Sequence, residues 1–107
     1  TAHEINTNTL DDFCNTKKVS KIDVLKIDVE GSELEVLFGA KEILKQTNLI
    51  QIEILDLKEK FDDKYLEIKS YLEKNYQFKL IKQKNIWSLN TLSKMKAIDA
   101  LFLKNTY

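Results

Sequence analysis

The stretch VLKIDVEGSELEVL at positions 24 to 37 sets Lys26, Asp28 and Glu30 at every second place in an apolar run, followed by Gly31 and a helix start. In an extended strand such alternation puts the three charges on one face and Leu25, Ile27 and Val29 on the other. Carboxylates grouped in this way can orient a ligand or take a proton from it, and burial raises their affinity for that proton. Glu53, in the later run LIQIEIL, offers a third acid of the same kind. Patterning alone favours a solvated strand face for Lys26, Asp28 and Glu30, because charged side chains are mostly exposed.

The elements that must carry these residues follow from periodicity. Residues 22–29 and 49–55 are β-branched and short, and 78–83 and 97–104 have the same character, so four strands are expected. From Ser32 the pattern turns helical. Ser32 stands three residues before Glu35 as in a capping box, and Leu34, Val36, Leu37, Ala40, Ile43 and Leu44 continue at helical spacing. Residues 64–76 form a further helix with Tyr65, Leu66, Ile68 and Leu72 on its buried side, and TLDDF at 9–13 opens a short one behind a threonine cap. Residues 2–7 read as a short strand, and 84–96 as a polar connection holding Trp87. Alternation of strand and helix with short connections predicts an α/β sheet whose first three strands run parallel.

Ligands of such sheets bind beyond the carboxyl ends of the parallel strands. Asp28 and Glu30 close the first strand at that rim, Glu53 lies near the same end of the second, and the connection after the third brings Trp87 to the same side. Glu30, Glu33 and Glu35 already answer the positive end of the helix that starts at Ser32, so a phosphate would meet repulsion there. A neutral or cationic ligand fits better.

Composition narrows the classes further. The chain has 107 residues, enough for one small domain, and 17 basic residues balance 17 acidic ones. With no net charge and no arginine it offers little to nucleic acid or an anionic membrane. Cys14 is the single cysteine, so no internal disulfide or thiolate zinc cluster forms, and a buried, idle thiol in a reducing cytoplasm is expected. No apolar run reaches the ~20 residues of a membrane helix. Only Gly31 and Gly39 occur, too few for a dinucleotide fingerprint or a phosphate loop. Gly31 is expected to serve the turn between strand and helix and Gly39 a packing contact, and His3, near the first residue, is given no role. The chain opens on Thr1 rather than methionine, and a longer parent protein is expected.

Taken together, TLDDF, IDVLKIDVEGSELEVLFGA, IQIEI and AIDALFLK resemble the C-terminal half of FkbM-type methyltransferases, with LKIDVEGSELEVL the sharpest part. The resemblance implies the C-terminal half of a Rossmann-like class I methyltransferase sheet, mostly parallel with an antiparallel last strand inserted between the second and third. The strand of Asp28 then lies at one edge. Residues 1–107 become a single partial domain lacking the glycine-rich cofactor loop. The cofactor of the complete domain is S-adenosylmethionine, with Asp28, Val29 and Gly31 beside it. Asp28, Glu30 and Glu53 are the catalytic candidates, and no metal is implied; Trp87 is expected either to line the acceptor by stacking or to serve as an amphipathic plug beneath its connection. The resemblance reverses the solvated reading for Asp28 and Glu30 but not for Lys26. The implied reaction is methyl transfer to a hydroxyl of a sugar or natural product, with the isolated chain inactive.

A non-catalytic assembly or binding half-domain is the main alternative. A metal-dependent nuclease using Asp28 and Glu53 ranks lower, because Leu55 stands where its lysine would be. The open edge of the first strand calls for cover by a second copy or by a missing N-terminal segment.

Overall fold

In the computed structural model, residues 9–28, 32–56, 61–87 and 96–105 are described. Helix α1 spans Leu10–Thr16 and strand β1 Ile22–Ile27; helix α2 is Glu33–Phe38, followed by a 3-10 turn at Ile43–Gln46. Strand β2 is Thr47–Asp56, helix α3 Phe61–Tyr76, strand β3 Phe78–Trp87 and strand β4 Lys96–Lys104. The expected strand at 2–7 falls outside the described residues.

The strands form one four-stranded sheet in the order β1-β2-β4-β3. β1 and β2 are parallel, and β4 runs antiparallel to both β2 and β3, so β1, β2 and β3 share one direction. The inserted antiparallel strand and the edge position of β1 agree with the expected order. β3 extends through Trp87, which registers with Lys96, where the sequence predicted a connection from residue 84. Its polar residues Lys82, Gln83 and Lys84 hide a strand whose inward face is short of large apolar groups, and pairing with β4 decides the matter. A register shift between Leu80 and Lys82 makes room for the extra residue Ile81.

One face of the sheet is the core. Ile50, Ile52 and Ile54 of β2 are fully buried together with Phe102 and almost all of Ala100 from β4. Ile68, Leu72 and Tyr76 of α3 pack on this face at a four-residue spacing, with Leu37 of α2 beside them. Leu66 was expected on the buried side but is 56% exposed, because it lies two positions off that stripe. The opposite face carries Val24, Lys26, Leu103 and Lys82, all exposed, between half-buried Leu49, Gln51 and Leu101.

Helix α1 starts as the sequence predicts: the Thr9 hydroxyl accepts a hydrogen bond from the Asp12 amide at 3.1 Å. Helix α2 differs from expectation at both ends. Ser32 occupies the cap position without a side-chain capping bond, and the helix stops at Phe38 instead of continuing to Leu44. Asp11 explains the stop, since its carboxylate accepts from the amides of Glu42 and Ile43, each at 2.9 Å. Those amides are thereby taken from the helical ladder. The Asp11 amide donates to the Gly39 carbonyl at 2.9 Å, which brings α1 against the end of α2. A Cβ on Gly39 would lie 2.9 Å from Thr9 Cβ, so glycine is needed for the approach, as the packing role expected for it requires. Leu37, Ala40, Ile43 and Leu44 still reach the core through the broken helix.

Candidate active site

β1 and β2 pair in parallel up to Ile27 opposite Ile52, so the next residues, Asp28 and Glu53, stand side by side on the open face. Antiparallel pairing sets Asp99 of β4 opposite Glu53 on its other side. Three adjacent strands thus present Asp28, Glu53 and Asp99 in a row at the carboxyl-terminal end of β1 and β2. Alternation drives this placement. Ile27, Ile52 and Ile98 with Ala100 point into the core, and the intervening acids must face the other way.

Asp28 acts on Glu53 across the β1–β2 pair, and Glu53 holds its proton more tightly than an ordinary glutamate. Burial is the largest cause, followed by the negative charge of Asp28, the hydrogen bond to Asp28 and the charge of Asp99; Lys26 pulls the other way. Asp28 is exposed while Glu53 and Asp99 are half-buried. Gln51 Nε2 donates to the two carboxylate oxygens of Asp99, at 3.5 Å to Oδ1 and 3.4 Å to Oδ2, long bonds that hold the carboxylate beside Glu53 only loosely. Lys84 of β3 registers with Asp99 on its far side. The row therefore holds one carboxyl suited to exchanging a proton between two that can steer a polar or cationic group.

Two of the residues singled out in the sequence, Asp28 and Glu53, are brought together. Val29, Glu30 and Gly31 lie outside the described residues. Trp87 ends β3 at the same end of the sheet, but β4 stands between β3 and β2, which sets it two strand spacings away, roughly 10 Å. Its side chain is outside the description. Cys14 is buried as expected, and burial raises its thiol's proton affinity.

Sequence reasoning missed Asp99, although the signal was available. It interrupts the apolar run of AIDALFLK, and an inserted last strand must lie against β2. Among the described residues no three His, Cys, Asp or Glu side chains converge as a metal cage, and no helix is long and apolar enough to cross a membrane.

This α/β layer with acids at its carboxyl-terminal rim matches the methyltransferase FkbM domain over residues 1–80, and the chain belongs to that family. It is 32% identical over 79 residues to the 2-O-methyltransferase NoeI of Sinorhizobium fredii (strain NBRC 101917 / NGR234). The match covers 74% of this chain and 32% of that protein, so the chain spans about a third of the curated relative it matches. No solved structure matches.

Proposed function

We propose that this chain is the C-terminal part of a Rossmann-like methyltransferase domain that methylates a hydroxyl of a small-molecule acceptor, a sugar or natural product, from S-adenosylmethionine. The observation that carries the reading is the side-by-side placement of Asp28 and Glu53 at the ends of adjacent parallel strands, flanked by Asp99, with Asp28 raising the proton affinity of Glu53. An acidic rim suits a sulfonium cation, and the relative's name as a 2-O-methyltransferase supports an oxygen acceptor. When bound, the cofactor supplies an electrophilic methyl group. A hydroxyl acceptor must shed its proton as the bond to carbon forms, and Glu53 is the group suited to take it.

In this reading Asp28 orients the cofactor or acceptor and, by its charge, keeps the proton affinity of Glu53 high. Glu30 is the second candidate for the base. Val29 and Gly31 contact the cofactor and Trp87 the acceptor. With two glycines in the chain, the loop that cradles the rest of the cofactor belongs to an N-terminal part of the domain, which also covers the edge of β1 that no strand among the described residues pairs with. The setting is cytoplasmic, and a second copy is the alternative cover for that edge.

The test is methyl transfer from labelled S-adenosylmethionine to a panel of sugar and natural-product hydroxyls by the full-length protein, with Glu53→Gln beside it. The reading expects transfer in the wild type and a loss of about 10²–10⁴-fold in the variant, with cofactor affinity kept. Wild-type turnover in Glu53→Gln would remove Glu53 from the role of base.

A further inference from the structure

Glu33 is the first residue of α2, in the first turn, and its side chain is completely buried. Lys64 of α3 meets it with Nζ 2.7 Å from Oε1, and the lysine side chain is itself only 20% exposed. Neither placement suits the local helix alone. An acid that only complements a helix dipole can stay in water, and a lysine in the first turn of α3 opposes that helix's own dipole. A buried ion pair is a poor source of net stability compared with apolar side chains of the same size, so stability alone gives little reason for this one. What it does supply is a fixed direction. The Ser32 side chain makes no capping bond among the described residues, and α2 is six residues long, so its own length does little to fix its start.

That start lies close to the acids in sequence. Four peptide links join Asp28 to Ser32, a span of at most about 14 Å. The position of α2 therefore limits how the chain leaves β1. We infer that the Glu33–Lys64 pair is a positioning device, which ties the start of α2 to α3 and thereby keeps Asp28 against Glu53. Its link to catalysis rests on the methyltransferase reading; its effect on the carboxyl pair does not.

Both levels can be measured on the full chain. Carbon-detected NMR titration of the Glu53 carboxyl reports the Asp28 contact directly, against the steady background of Asp99 and Lys26. With Lys64→Met the Glu53 midpoint should fall toward that of Asp28→Asn, and Lys64→Arg should restore it. The neutral pair Glu33→Gln with Lys64→Met covers the case in which the single variant fails to fold. A folded neutral pair with an unmoved Glu53 midpoint would overturn the inference, since a purely structural tie would lower stability without touching that midpoint. In the methylation assay Lys64→Met should lower kcat about tenfold and leave the acceptor KM unchanged, with recovery in Lys64→Arg. If the wild type transfers no methyl group, the function proposed above fails alone, and the titration still decides the positioning role.

Discussion

Glu53→Gln should make the protein more stable at neutral pH while removing its proposed chemistry. In the folded chain Glu53 sits between Asp28 and Asp99, and its proton affinity is raised by burial and by both charges. Below the ordinary glutamate value, about pH 4, folded and unfolded chains both carry the proton, and the crowding costs nothing. As pH rises through the higher midpoint of the folded state, the unfolded chain releases its proton more readily, and wild-type stability falls. Glutamine keeps the shape and a donor for Asp28 without the charge. Like charges directly opposite in a sheet are destabilising, on the cross-strand scale of about 0.2–1 kcal/mol per pair, so two neighbours partly offset by Lys26 give a gain of about 0.3–1.5 kcal/mol at pH 7. At about 4–8 °C per kcal/mol for a domain of this size, the melting temperature should rise by several degrees. Thermal melts of both proteins from pH 3 to 8 measure it. The gain should vanish toward pH 3 and grow with pH. A variant less stable than wild type at pH 7, or a difference that does not change with pH, would refute the crowding argument.

Asp11→Ala removes both acceptor bonds that end α2, one of them from the half-buried Ile43 amide, and should cost about 2 kcal/mol in urea unfolding. A loss below about 0.5 kcal/mol would mean that water or a continued helix satisfies those amides equally well. Gly39→Ala forces a methyl group against Thr9 Cβ, close to the backbone of the α1 cap, and should destabilise by about 1–3 kcal/mol; a neutral result would show that α1 can slide away freely. Calorimetry of the isolated 107-residue chain with S-adenosylmethionine should show no binding, and a clear binding isotherm would contradict the need for a further cofactor loop.

The elements with strong periodicity were legible in the sequence. β2 alternates Ile50, Ile52 and Ile54 with Gln51 and Glu53 so regularly that strand, core face and site face all follow from it. α2 was not legible, because its apolar spacing runs on to Leu44 while the interruption comes from Asp11, some 31 residues earlier in the chain. Long-range side-chain bonds of this kind leave no local periodic trace. Trp87 and the length of β3 were obscured for a related reason: β3 is a lysine-rich edge strand, and its register comes from β4 rather than from its own pattern. In the site, the pairing of Asp28 with Glu53 follows from two parallel strands of known phase. Asp99 needed the strand order as well. Glu33 was read as a dipole partner because a glutamate in a first turn is ordinarily solvated, and only the position of α3 shows that Lys64 draws it inside.

The most direct test is the pH dependence of kcat/KM for methyl transfer by the full-length protein and its Asp28→Asn variant. Activity should rise with pH along a limb set by Glu53, above the ordinary carboxylate range, and Asp28→Asn should move that limb to lower pH. A limb that stays where it was in the variant would contradict a proton-accepting Glu53 governed by its neighbour on β1.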